Sequence, residues 1–133
     1  MIKKLAYNTF LILIVLSFFS CSKKENKFDN PIFSFFHELN DKNVDSFMKS
    51  YYSEKPDYVL SQYRIVLNQL KNSDITITDY NHYEGEKINI DGDTKNIFII
   101  SHDQEIITSV KVEDKKVKYL LSINKGKELI GWL

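Results

Sequence analysis

VLSQYRIVLNQLKNSDITIT, residues Val59 to Thr78, carries both halves of the fold in one stretch. Up to Leu70 the residues Val59, Leu60, Tyr63, Val66, Leu67 and Leu70 recur at steps of three and four, the apolar stripe of a helix. Asn72-Ser73 ends it. Past Asp74 the period drops from 3.6 to 2, because Ile75 and Ile77 alternate with Thr76 and Thr78 as in a half-buried strand. The stretch predicts helices before it and strands after it.

Both directions agree. Upstream, Asn30-Pro31 is an N-cap followed by proline at the first helical position, and Ile32, Phe35, Phe36 and Leu39 share one helical face. Asn40-Asp41-Lys42-Asn43 turns and caps again before Val44, Phe47, Met48 and Tyr51 repeat the spacing. Downstream, Ile88 and Ile90 alternate with Lys87 and Asn89, and Asp91-Gly92-Asp93 turns. Ile97-Phe98-Ile99-Ile100 reads as a run buried on both faces or covered by the helices. His102-Asp103-Gln104 interrupts it. Ile106, Thr108, Val110 and Val112 alternate, Asp114-Lys115 turns, and Val117, Tyr119, Leu121 and Ile123 return on one face before a last strand from Leu129 to Leu133. Links this short make neighbouring strands antiparallel. The expected architecture is α+β, three N-terminal helices packed on an antiparallel meander of four to six strands, forming a single domain over residues 31–133.

Phe33-x-Phe35-Phe36, Leu39-Asn40-Asp41-Lys42-Asn43-Val44, Phe47 and the closing Lys125-Gly126-Lys127-Glu128-Leu129-Ile130-Gly131 resemble the small cone-like domains of the nuclear-transport-factor-two-like and cystatin-like type. The resemblance covers residues 31–133. It implies a free bacterial lipoprotein, or an accessory domain beside a secreted hydrolase.

Ahead of the domain, Lys3 and Lys4 precede the run Phe10 to Phe19, apolar except for Ser17, with no acidic residue among residues 1–20. This is the layout of a secretory signal. A retained membrane anchor is the competing reading, but even counted from Leu5 the stretch makes a helix of about 22 Å against a hydrocarbon core of about 30 Å. Phe18-Phe19-Ser20-Cys21 resembles a bacterial lipobox, which implies cleavage before Cys21, acylation of its sulfur and anchoring in the membrane. Two or more acyl chains make such attachment stable. Residues 1–20 are then a lipoprotein signal peptide and residues 21–30 a lipidated, polar, flexible tether. The charges of Lys23, Lys24, Glu25 and Lys27 behind the cysteine also resemble the surface-export signal of Bacteroidetes lipoproteins. The expected location is the outer membrane, facing the periplasm or exposed on the surface.

Composition narrows the remainder. The 133 residues hold 18 basic and 18 acidic groups, and removing the signal costs two lysines, leaving a formal charge of −2. No broad basic face for nucleic acid is implied. A single cysteine makes neither an internal disulfide nor a cysteine-rich zinc site, and His37, His82 and His102 fit no metal-ligand spacing. Asn89-x-Asp91-x-Asp93 lacks the later glycine and glutamate of a calcium loop. No nucleophile elbow or phosphate-binding glycine loop occurs, so neither a cofactor nor a catalytic residue is expected. Lys111, Lys115, Lys116 and Lys118, diluted by Glu113 and Asp114, read as a solvated turn. Arg64 either pairs with a carboxylate or lies along the surface.

One cavity is suggested. Alternation through Tyr80-Asn81-His82-Tyr83 puts Tyr80 and His82 on one sheet face, where with Tyr63 and His102 they would line a ligand cleft at the mouth of the cone. The competing reading has these side chains tipping the core with their polar ends in water. The leading expectation is a noncatalytic outer-envelope lipoprotein that binds a partner protein, a second copy or a small ligand. An enzyme or hydrolase accessory using the Tyr/His cavity is the alternative, and an inhibitor or immunity lipoprotein is the third.

Overall fold

The computed structural model describes residues 30–133, so the expected signal peptide, Cys21 and all of the expected tether except Asn30 lie outside the described residues. Among the described residues three helices come first, α1 (Pro31–Asp41), α2 (Val44–Tyr51) and α3 (Asp57–Leu70). Six strands follow: β1 (Thr76–Asp79), β2 (Ile97–His102), β3 (Glu105–Glu113), β4 (Lys116–Tyr119), β5 (Ser122–Lys125) and β6 (Glu128–Trp132). The domain is α+β, with a four-stranded antiparallel sheet in the order β1-β2-β3-β4 and a separate β5–β6 pair. Among the described residues no helix is long and apolar enough to cross a membrane.

Local chemistry fixes the helix ends. The Asn30 side chain accepts from the Ile32 N–H at 3.0 Å, and Asn43 accepts from the Ser46 N–H at 2.8 Å, each satisfying a donor that the first helical turn leaves unpaired. Asn72 closes α3 in the left-handed conformation (φ 57°), and its N–H donates to the Asn40 side chain at 3.0 Å, tying the end of α3 to the α1–α2 corner. Arg64 joins α3 to α2 through Asp45 at 2.9 Å, an exposed pair that contributes little to stability. Inside the helical layer, Phe35 meets Phe36, Phe47 and Tyr51 edge-on at 5.1, 5.2 and 5.6 Å.

The continuous apolar run on β2 has a simple cause: both faces of the sheet are covered. Ile100 and Phe98 face the helices together with Val110, Val112 and Val117. Ile97 and Ile99 face a smaller core made by Tyr80, Tyr83, Ile88, Ile90 and Trp132. The second layer is the 80–96 segment with the β5–β6 pair, and the helices cover only the first face.

Three expected strands differ. Tyr80 to His82 is a single 3-10 turn, begun by the Asp79 side chain accepting from the Asn81 N–H at 2.9 Å, so the expected alternation of Tyr80 with His82 does not exist. Lys87 to Ile90 pairs only at Asn89, through a parallel bridge to Glu128. Here Lys87 Nζ donates to the carbonyls of Tyr80 (2.6 Å) and Tyr83 (3.0 Å), and the Tyr80 hydroxyl donates to the Ile88 carbonyl at 2.6 Å, which holds the segment as a strap instead of a strand. The expected strand through Val117 and Ile123 breaks at Leu120, whose fully buried side chain turns inward between β4 and β5. The closing pair therefore leaves the main sheet.

The β2–β3 turn places Asp103 (φ 47°) and Gln104 (φ 68°) both in the left-handed region, as a two-residue type I′ hairpin demands. Glycine carries no side-chain penalty there. Gln104→Gly is expected to raise the unfolding free energy by about 0.5–1 kcal/mol, read from the urea midpoint at unchanged slope.

Candidate functional site

The structure does not gather the four residues expected at a cavity mouth. Tyr63 is fully buried in the helix–sheet core; its hydroxyl accepts from the Leu120 N–H at 3.2 Å and donates to the Leu133 carbonyl, and burial pushes its pKa up to about 12. Tyr80 belongs to the smaller core on the other face. His82 is 84% exposed beside Asp79. His102 stands at the end of β2, its Nδ1 against the Asp74 carbonyl and its Nε2 3.2 Å from Asp103. Tyr63 and Tyr80 thus complete packing, and no cleft described below includes any of the four.

His102 has a measurable consequence. The Asp74 carbonyl and then the Asp103 carboxylate favour the imidazolium, raising its pKa above the usual 6.5. An NMR pH titration is expected to give a midpoint above that value, and a midpoint at or below it would contradict the contact. The stabilisation linked to this proton is complete below the unfolded pKa and fades as pH rises through the higher folded one.

A charged and aromatic cleft of about 450 Å³ lies between the α2–α3 turn and the β3–β4 hairpin. Tyr51 and Tyr52 end α2, Lys55 stands on the turn, and Glu113, Lys116 and Lys118 come from the hairpin. Asp114 (φ 52°) and Lys115 (φ 58°) make a two-residue turn that sets Glu113 opposite Lys116. The hairpin is pinned to α2 twice: Lys116 Nζ donates to the Tyr51 carbonyl at 2.5 Å, where the helix C-terminus favours a cation, and the Tyr52 hydroxyl donates to the Val117 carbonyl at 2.7 Å. Lys116 also lies over the Tyr51 ring, 4.6 Å from its centroid.

Tyr119 is the centre of positive charge. The ammonium groups of Lys55, Lys118 and Lys111 lie 4.3, 5.5 and 6.0 Å from its ring centroid. Glu113 answers two of them, holding Lys111 at 3.1 Å and Lys118 at 3.0 Å, one on each carboxylate oxygen. These hydrogen bonds, Lys118 first, depress the Glu113 pKa, and the same contact raises that of Lys118. Lys55 has no ion-pair partner among the described residues. Burial, then the like charge of Lys118, lowers its pKa, with Glu113 opposing.

No protein-family model, curated protein or solved structure matches this chain. The cleft sets the ammonium groups of Lys55, Lys116 and Lys118 beside the carboxylates of Glu54, Glu113 and Asp114, with Tyr51 and Tyr52 between them.

The other clefts offer less. A groove of about 620 Å³ between α2 and α3 is bordered by Arg64 and Asp45, already paired with each other. An open depression on the opposite sheet face carries Glu84, Glu86 and Glu105 beside Thr76 and Ser101. Among the described residues no three His, Cys, Asp or Glu side chains are grouped to hold a metal ion. Sequence reasoning registered Lys111, Lys116 and Lys118 and took them for a solvated turn, but missed Lys55, Tyr51, Tyr52 and Tyr119. No spacing links Lys55 to Tyr119; only the tertiary fold does.

Proposed function

We propose that this protein is a noncatalytic lipoprotein of the bacterial outer envelope, anchored through acyl chains on Cys21 and presenting a small α+β domain that binds a partner protein or small ligand. The observation that carries the anchoring is the position of the only cysteine, directly after an apolar run that follows Lys3 and Lys4. The position of the α1 cap supports it, since Asn30 lies only nine residues after Cys21. Fully extended, those residues reach about 30 Å, enough to hold the domain at a periplasmic or external membrane surface. The binding half rests on the cleft around Lys55, Lys116 and Lys118.

The anchor is tested by growing cells expressing the full chain with radiolabelled palmitate. Label is expected in the wild-type protein and absent from Cys21→Ala. Incorporation that persists in Cys21→Ala, or no incorporation into either, would overturn the lipoprotein reading.

A further inference from the structure

The geometry points to a binding site for a single phosphate group between Lys55 and Lys118, in the cleft that Tyr51 and Tyr52 also line. Five lysines surround this end of the fold, and three are engaged: Lys111 and Lys118 with Glu113, Lys116 with the Tyr51 carbonyl. Of the other two, Lys115 is exposed on the hairpin turn, whereas Lys55 is half-buried over Tyr119 and has no oxygen acceptor for its ammonium among the described residues. Lys118 spends one of three N–H donors on Glu113. Both lysines line the same cleft and the charge of Lys118 acts on Lys55, so an oxyanion seated there would answer the unpaired cation and screen the repulsion between the two.

The remaining charges set the class of ligand. Glu54 and Asp114 line the same cleft, so a long polyanion would meet repulsion on either side of the lysine pair. One small phosphate ester suits the balance, and the volume of about 450 Å³ has room for the group it is attached to. Two sources share this chemistry, a free phosphate ester and a phospholipid headgroup. A shallow neighbouring cleft contains Glu113 and Asp114 together with Asn30 and Pro31, so the site lies at the end of the domain where α1 begins. The headgroup source rests on the anchoring of Cys21 proposed above; the phosphate site itself does not.

The test uses the full chain in a nonionic detergent, its amide spectrum followed by NMR. O-phosphoethanolamine and inorganic phosphate are titrated separately, and the protein is then placed in nanodiscs of phosphatidylcholine alone or with phosphatidylglycerol. Saturable shifts at Lys55, Lys118 and Tyr119 are expected, with affinity falling at least about tenfold in Lys55→Gln and unchanged in Lys125→Gln, all variants melting as wild type. Shifts with the soluble probes identify a free-ester site. Shifts only in nanodiscs containing phosphatidylglycerol identify a headgroup site. The proposal is overturned if no probe shifts Lys55 in the folded protein, or if Lys55→Gln binds as tightly as wild type. Palmitate labelling reports the anchor separately, because the soluble arms need no acyl chain.

Discussion

Phe35→Ala is expected to lower the unfolding free energy by about 3–5 kcal/mol, the largest effect of any single substitution considered for this domain. The ring is fully buried and supports Phe36, Phe47 and Tyr51 on three sides. Truncation removes the transfer free energy of an aromatic side chain and leaves a void that three rings cannot fill without leaving their edge-on geometry. A domain of this size has a total stability of about 5–15 kcal/mol, so the variant should melt far below wild type or be unfolded at growth temperature. Thermal and urea unfolding measure it. A loss under about 1 kcal/mol would mean that the helices are not packed around this residue.

Tyr63→Phe keeps the ring and removes one oxygen, yet a loss of about 2–4 kcal/mol is expected. That oxygen serves two backbone groups, the Leu120 N–H and the Leu133 carbonyl, and Leu120 is fully buried. Without it the Leu120 N–H is left unpaired where water does not substitute, and the half-buried Leu133 oxygen loses its donor. The damage should be local as well as global. Leu120 is the corner between the main sheet and the β5–β6 pair, so amide hydrogen exchange is expected to speed up at Leu120 and through β5 and β6 more than in α1. Tyr80→Phe is the control: its hydroxyl serves one carbonyl, that of Ile88, and the cost should be about 1 kcal/mol. Equal losses in the two variants would contradict the assignment of Tyr63 as the pin of this corner.

The helices were legible because their information is local. Stripes such as Ile32, Phe35, Phe36 and Leu39 declare a face, and Asn30 and Asn43 mark the ends through bonds made within a few residues. The antiparallel pairing of β2, β3 and β4 followed from link length, since two-residue turns at Asp103-Gln104 and Asp114-Lys115 leave only antiparallel neighbours. What escaped was set by distant partners. Two isoleucines alternating around Asn89 satisfy a strand pattern as well as a strap pattern, and the bonds from Lys87 to Tyr80 and Tyr83 decide between them. The period of two through Val117 and Tyr119 gave no warning of the corner at Leu120, which exists because Tyr63 of α3 binds its N–H. The candidate site escaped for the same reason. Side-chain types show that lysines cluster near Asp114, but not that an α2–α3 turn brings Lys55 to within 4.3 Å of the Tyr119 ring centroid.

In the proposed function, the small α+β domain is held at a membrane by lipid on Cys21 and offers the cleft around Lys55 to an anionic group. The central claim is the anchor, and the mass spectrum of the protein extracted from its native envelope tests it most directly. The account predicts an N-terminal peptide that begins at Cys21 and carries a diacylglyceryl mass on that residue. An unmodified peptide beginning at Ser22, or one running unbroken through Ser20 and Cys21, would contradict it.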